Sequence, residues 1–144
     1  MPKVKFATAA DAENAFYLAI ESVDLPAMME VWADDDTVVC IHPGAPRIEG
    51  AALIRESWQD IFQCGPAMAF SLHKDRVFED GYTAVHMVRE EIAIDGEFVS
   101  VMLSTNIYKK TDLGWRMMLH HSSPEPDLFP EELELQDEAP LMLH

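Results

Sequence analysis

Residues 98–122, FVSVMLSTNIYKKTDLGWRMMLHHS, form two runs of alternating side chains on either side of the turn Asp112–Gly114. Period-two patterns that flank a glycine-containing turn are typical of an antiparallel β-hairpin. Two earlier turns, Asp80–Gly81 and Asp95–Gly96, separate further runs of the same kind. The chain after Pro66 therefore predicts a four-stranded meander, with strands over about 67–78, 82–94, 98–109 and 115–122.

Before Pro66 the apolar residues recur at helical spacing instead. The first set of apolar residues at this spacing predicts a helix over 11–23. Asp24 is suited to cap a second helix. A third helix is expected to begin at Gly50 and to end at Gly65. A short buried strand is expected over 37–41, followed by a turn rich in proline and glycine. Helices followed by a long-stranded antiparallel sheet predict an α+β fold, with the helices packed on one sheet face.

The composition excludes several classes of function. The chain has 144 residues, with 10 Lys and Arg against 26 Asp and Glu, which gives a formal net charge of −16. Such a charge repels a polyanion, and no basic patch is visible, so nucleic acid is not expected as a partner. No apolar run is long enough for a membrane span. Cys40 and Cys64 make no disulfide framework, so a reduced, cytoplasmic location is predicted.

The C-terminal segment differs from the rest of the chain. We expect one domain over residues 1–124 and an acidic tail over 125–144, which contains no Lys or Arg. One possibility is a solvated tail with a short helix after Pro130. The other is an arm whose apolar residues, such as Phe129 and Leu133, dock on the same chain or on a partner subunit.

Several segments together resemble a known family. They are VCIHPG at 39–44, RIEG at 47–50, Trp58, and GWRMMLHHSSP at 114–124. They resemble the SnoaL-like branch of the nuclear transport factor 2-like superfamily, and residues 84–122 are also similar to the association domain of calcium/calmodulin-dependent kinase II. The resemblance spans about residues 9–124. It implies a cystatin-like cone in which a curved sheet wraps a helix, with a pocket at the wide end and a homodimer through the outer sheet face.

Alternation divides each strand into two faces, and the resemblance suggests which face points into the cone. If Thr105 points inward, the apolar residues that share its face of the strand point inward as well. The likeness to the association domain also places Arg89 inward, beside Glu91, while His121 faces inward near the end of the last strand. The outer row, expected to form the contact between subunits, is then Met102, Asn106, Tyr108, Met118 and His120.

Four charged or titratable residues are candidates for catalysis or ligand binding. His121 could act as a general acid or base, or could simply bond a hydroxyl such as that of Ser123. His42 lies at a strand end beside a turn, where site residues often occur. Glu91 is the nearest candidate for an inward carboxylate base. Arg89 either anchors a ligand carboxylate or pairs with Glu91.

Aromatic residues could complete the same pocket. Tyr17, Trp32 and Trp58 are either ordinary core residues or a wall around an apolar ligand, with Thr105 as a further ligand contact. The His and Cys spacings do not match a metal site, and motifs for phosphate or dinucleotide binding are absent. No metal or cofactor is therefore expected.

Two functions from different classes fit these observations. The first is a small-molecule pocket that binds an apolar organic acid or carbonyl compound. The resemblance implies that such a pocket could carry out cofactor-free chemistry of the isomerase, cyclase or dehydratase type. The second is a non-catalytic association module whose product is the oligomer itself. The enzyme needs an accessible polar pocket, whereas the module needs only the outer sheet face.

Overall fold

A computed structural model describes residues 4–126. Its elements are α1 (Ala9–Glu21), α2 (Leu25–Val31), β1 (Val39–Ile41), β2 (Ile48–Glu49), α3 (Ala51–Cys64), β3 (Ala69–Glu79), β4 (Thr83–Ile94), β5 (Glu97–Thr111) and β6 (Gly114–Pro124). The α+β prediction is confirmed. The predicted docking of Phe129 and Leu133 falls on residues 127–144, outside the described part of the chain.

The helices α2 and α3 begin where the sequence predicts, at Asp24 and Gly50, whereas α1 begins and ends two residues earlier than the predicted 11–23. The Thr8 hydroxyl accepts a hydrogen bond from the Asp11 amide at 3.0 Å, and Asp24 does the same for the amide of Ala27. Both contacts satisfy amides that the first turn of a helix leaves unpaired. No helix within residues 4–126 is long and apolar enough to cross a membrane.

The six strands form one mixed sheet in the order β2-β1-β6-β5-β4-β3. The predicted meander of β3 to β6 is antiparallel throughout. β1 is shorter than expected and pairs in parallel with β6, and it also pairs with β2, which the sequence pattern did not predict. The helices cover one face of this sheet, here called the inner face.

The expected orientation of β4 and β5 is wrong. Ser104, Asn106 and Tyr108 are buried on the inner face of β5, so Leu103, Thr105 and Ile107 lie on the outer face. On β4, Arg89 and Glu91 are likewise on the outer face. Alternation defines two faces without saying which is covered, and the helices here cover the face with more polar groups.

A bulge reverses the expected orientation at the end of β6. Ile107 pairs with Leu119 but Tyr108 pairs with Met117, so Met118 is an extra residue in β6. An extra residue shifts the alternation beyond it by one position. Met117 and His120 therefore both face inward, and His121 is exposed on the outer face. The expected contact row is therefore wrong. Met102, Asn106 and Tyr108 lie on the inner face of β5, and the bulge turns His120 to the inner face of β6.

Candidate functional site

A cavity of about 240 Å³ lies between α1, α3 and the inner face of the sheet. Apolar side chains form most of its wall, and five polar side chains, Ser100 among them, interrupt it. The apolar residues include Ile20, Ile61, Phe70, Ile92 and Met102, and the polar ones include His42, Glu90, His120 and Ser122. An apolar cavity with a few convergent polar groups is the usual form of a small-molecule site.

Glu90 projects from the inner face of β4 into this cavity and is only 4% exposed. Its Oε2 accepts hydrogen bonds from the Tyr17 hydroxyl at 2.5 Å and from the Ser104 hydroxyl at 2.8 Å. Its Oε1 bonds to none of the residues 4–126. Burial raises the pKa of Glu90 and the charge of Glu13 adds to the rise, although the two hydroxyl bonds oppose it.

A second carboxylate, that of Glu13, is buried next to the cavity. The Oε2 atom accepts hydrogen bonds from His86 Nδ1 at 2.9 Å and from the Tyr108 hydroxyl at 2.8 Å. Lys74 Nζ lies 3.2 Å from the other oxygen. Burial by itself raises the pKa of Glu13, but the bonds from His86 and Tyr108 and the charge of Lys74 outweigh it, so that the pKa is lowered. Glu13 is therefore the more acidic of the two carboxyl groups.

Asn106 connects His120 to Glu13 directly and to Glu90 through the Tyr17 hydroxyl. Its Nδ2 donates to the Tyr17 hydroxyl at 3.0 Å and to Glu13 at 3.3 Å, and its Oδ1 lies 2.6 Å from His120 Nδ1. Burial lowers the pKa of His120 to about 3, and His42 and His121 add to the decrease. His120 is consequently a neutral imidazole at physiological pH.

His42 lines the cavity and lies just after β1. Its Nε2 is 3.0 Å from the Ser57 hydroxyl, and its ring meets that of Trp58 edge to face at 4.8 Å. The Ser57 hydroxyl donates to the carbonyl of Ile54 at 2.7 Å, so His42 Nε2 is the donor in its bond to Ser57. Burial lowers the pKa of His42 as well, which favours a second neutral imidazole at this cavity.

The sequence matches the SnoaL-like domain family over residues 10–126. The chain belongs to this family. A Thiobacillus denitrificans protein assigned as a calcium/calmodulin-dependent protein kinase type II association domain is 36% identical, with a TM-score of 0.81 over 84% of this chain and 98% of that one. A Streptomyces avermitilis protein assigned as a dehydratase of the nuclear transport factor 2-like family is 30% identical, with a TM-score of 0.73 over 81% and 92% of the two chains.

A curated relative is the F-box protein SKIP8 of Arabidopsis thaliana, which is 29% identical over 110 residues. The match covers 75% of this chain and 46% of the relative, so this SnoaL-like chain spans about half the length of that protein.

In this SnoaL-like domain the predicted site residues separate into three groups. Tyr17, His42 and Trp58 lie at the cavity, where Trp58 and His42 line the wall and Tyr17 bonds Glu90. Trp32 is buried elsewhere in the core, paired through its backbone with Met117. The remaining four are on the outer face of the sheet or at its surface: Arg89, Glu91, Thr105 and His121.

Arg89 is paired on the outer face. Its guanidinium contacts Glu91 at 3.1 Å and both carboxylate oxygens of Glu125, at 3.2 and 3.0 Å. Hydrogen bonds from Arg89 to Glu125 and Glu91 raise its pKa further. Of the two alternatives for Arg89, ion pairing within the chain is the one that the structure shows, although the partners include a residue beyond the expected domain end at 124.

Sequence reasoning missed four buried polar residues of the site, Glu13, Glu90, Asn106 and His120. A signal was present for two of them. Glu13 lies four residues before Tyr17 on the buried stripe of α1, and Glu90 alternates with the apolar residues Val88 and Ile92 on β4. A carboxylate on an apolar face needs a specific partner or a function, because its burial is otherwise costly. No group of metal-ligating side chains was found within residues 4–126.

Proposed function

We propose that this SnoaL-like domain binds a neutral, largely apolar compound in the cavity and performs cofactor-free acid–base chemistry on it. The observation that carries the proposal is the presence of Glu90 and His120 on one cavity wall with pKa values displaced in opposite directions. The raised pKa of Glu90 favours a carboxyl group that holds its proton, and the lowered pKa of His120 favours an unprotonated imidazole, so the same wall offers a candidate acid and a candidate base.

The charges around the cavity favour a neutral ligand. Its two imidazoles, His42 and His120, have lowered pKa values, and Arg89 is engaged by Glu91 and Glu125 on the other side of the sheet. A ligand carboxylate would therefore meet Glu90 and nearby Glu13 without a cation at the cavity wall among residues 4–126. For this reason we favour a carbonyl compound over an organic acid.

The size of the cavity limits the ligand. A cavity of about 150 Å³ is large enough for benzene, and the cavity in this domain measures about 240 Å³. The apolar wall suits one ring or two small fused rings, with polar substituents directed at Glu90 and His120.

Elimination of water from a β-hydroxycarbonyl compound is the reaction that best uses this pair. His120 Nε2 takes the proton from the carbon next to the carbonyl, and the electrons of that bond form the new double bond. The β-hydroxyl group takes a proton from Glu90 and leaves as water. The proton on His120 then returns to Glu90, so that the site is restored. The relative assigned as a dehydratase supports this choice over isomerisation or cyclisation.

The test is a panel of neutral one- and two-ring β-hydroxyketones, followed by the ultraviolet absorbance of the enone product. We expect turnover above the buffer rate, and a loss of about 10²–10⁴-fold in Glu90→Gln and in His120→Gln, the usual contribution of a general acid or base. His121→Gln is the matched control, because this neighbouring histidine faces away from the cavity. No turnover by any member, or equal turnover in all variants, would refute the proposal.

A second function, association through the outer sheet face, is favoured by a separate observation. Apolar side chains are open to solvent there, with Phe78 54% exposed, Met87 44% and Leu103 38%. Met87 lies directly across from Thr105, and Arg89 from Leu103, so these residues form adjoining rows on one surface. A second copy of this chain is the occupant we propose, since the relative assigned as an association domain shares 36% of its sequence.

Sedimentation distinguishes this surface from others. Leu103→Asp should shift the protein towards monomer, because a charge replaces an apolar residue in the proposed contact. Leu53→Asp, at an exposed leucine of α3, should leave the sedimentation unchanged. A dimer that persists in Leu103→Asp, or a monomeric parent protein, would exclude this face.

A further inference from the structure

We infer that Glu13, acting through Asn106, holds His120 in the neutral tautomer protonated at Nδ1, so that its bare Nε2 accepts a hydrogen bond from a ligand hydroxyl in the cavity. The inference shares the cavity with the proposed function but requires no catalysis. It assigns Glu13 and Asn106 as positioning residues, and it specifies a ligand that presents a donor to this wall.

The first step is the orientation of the Asn106 amide. Glu13 is an ionised carboxylate and can only accept hydrogen bonds, so the group of Asn106 that faces it must be the NH₂. The Tyr17 hydroxyl independently requires the same orientation. It donates its proton to Glu90 and is therefore an acceptor towards Asn106. Two separate acceptors thus fix the same orientation of the side-chain amide.

The second step is the tautomer of His120. With its NH₂ directed at Glu13 and Tyr17, Asn106 presents its carbonyl oxygen to His120 Nδ1 at 2.6 Å. A carbonyl oxygen accepts only, so Nδ1 carries the proton. A neutral imidazole has one proton on its two nitrogens, which leaves Nε2 as an acceptor. His120 lines the cavity, and Nε2 bonds to none of the residues 4–126.

The third step is the consequence for a ligand. Two polar atoms at this wall have no hydrogen-bond partner among residues 4–126, namely His120 Nε2 and Glu90 Oε1. The nitrogen can accept a hydrogen bond but cannot donate one. A hydroxyl group satisfies that nitrogen, whereas a carbonyl oxygen placed there leaves two acceptors facing each other without a bond. The wall at His120 therefore selects hydroxylated compounds.

The tautomer is measured directly by ¹⁵N NMR of the imidazole rings, because couplings to the ring protons distinguish a protonated from a bare nitrogen. In the unaltered protein we expect His120 to show a protonated Nδ1 and a bare Nε2 at neutral pH. The exposed His121 serves as a reference signal in the same spectrum. A charged His120, or one protonated at Nε2, overturns the inference without any variant being needed.

Asn106→Leu tests the positioning. Leucine removes the acceptor and has the same branching at Cγ, so the proton of His120 should become distributed between Nδ1 and Nε2. The spectrum also shows whether this variant is folded, and Asn106→Asp, which retains an acceptor towards Nδ1, should keep the Nδ1 proton. An unchanged Nδ1 tautomer in Asn106→Leu would show that Asn106 does not set it.

Ligand preference is tested with cyclohexanol and cyclohexanone, which differ in carrying a hydroxyl group or a carbonyl group at the same carbon. We expect cyclohexanol to bind about fivefold more tightly, the effect of one hydrogen bond, and to shift the Nε2 signal of His120. Equal affinity, or a shift on neither nitrogen, contradicts the ligand assignment. If the tautomer and the preference hold while no β-hydroxyketone is turned over, the proposed reaction fails and this inference stands.

Discussion

At the scale of single residues, the distinctive feature of this domain is a buried polar network that two carboxylates organise. Glu13 and Glu90 are each almost fully buried, but the number and kind of hydrogen-bond donors around them differ. Glu13 has several donors and a nearby lysine, whereas Glu90 has two hydroxyl donors and a largely apolar cavity. The environment thus separates two chemically identical side chains into a charged structural group and a group that retains its proton to higher pH.

Tyr108→Phe measures how much the network around Glu13 stabilises the fold. The variant deletes one hydroxyl that donates to a buried charge at 2.8 Å, so the free energy of unfolding should fall by about 1–3 kcal/mol. Urea denaturation gives this value. Tyr82→Phe is the control, because Tyr82 is 74% exposed and its change should be within about 0.5 kcal/mol. Equal effects would mean that the Tyr108 hydroxyl contributes nothing specific.

His120 makes the domain sensitive to acid. Its pKa is about 3 in the folded state and near 6.5 when unfolded, so only the unfolded chain takes up this proton between those values. The stability contributed by neutral His120 is fully present above pH 6.5 and is lost as the pH falls towards 3, at up to about 1.4 kcal/mol per pH unit.

The pH dependence of the free energy of unfolding, measured in the parent protein and in His120→Gln, isolates this effect from that of the carboxyl groups. The parent should lose more stability than the variant between pH 6.5 and 4.5. Parallel pH profiles would indicate that His120 titrates in the folded protein as it does in the unfolded chain.

At the scale of the elements, the β5–β6 hairpin controls which groups reach the cavity. The extra residue Met118 reverses the orientation of the strand beyond it, so His120 rather than His121 faces the helices. The hairpin is anchored at its other end by the N-terminal segment, where the amide of Trp115 donates to the carbonyl of Phe6 at 2.9 Å.

Gly114→Ala should disrupt this anchor. Gly114 has φ +104°, and a Cβ there would lie 2.6 Å from the backbone oxygen of Phe6. Gly81→Ala is a matched control, since Gly81 has φ +92° but open space around it. Backbone strain costs about 1–3 kcal/mol at both positions, and the clash adds to it only at Gly114. Thermal unfolding should show the larger loss in Gly114→Ala, and equal losses would exclude a contribution from the contact with Phe6.

At the scale of the whole molecule, the formal charge of −16 is distributed over a chain with few basic residues. Such a charge repels itself in the compact state, and salt screens that repulsion. Ion pairs at the surface, such as Lys5–Glu30, are weak and offset little of this effect.

Moderate salt should therefore stabilise the domain. We expect the melting temperature at neutral pH to rise when sodium chloride is increased from about 10 to 150 mM, because the screening length falls from about 30 to 8 Å over that range. Choline chloride at equal ionic strength controls for binding of a specific cation. A melting temperature that falls with salt would mean that favourable ion pairs outweigh the repulsion.

The amino-acid sequence by itself determined the features that depend on neighbours along the chain. Turn residues at Asp80–Gly81 and Asp95–Gly96, the cap at Asp24 and the change of period after Pro66 each act within a few positions, so the helices and the antiparallel meander follow from them. The motifs in 39–124 were likewise enough to predict the family and the α+β fold.

Only the tertiary structure decided which strand face is covered and hence what the cavity contains. The face with Thr105 and Leu103 is the more apolar, but the helices cover the face with Ser104 and Asn106, because Tyr17 and Glu13 of α1 supply hydrogen bonds to its polar groups. Those partners lie 73 or more residues from the strand residues they contact, as in Tyr17–Glu90. The bulge at Met118 depends in the same way on pairing between strands. Alternation defines two faces locally, and long-range contacts choose between them.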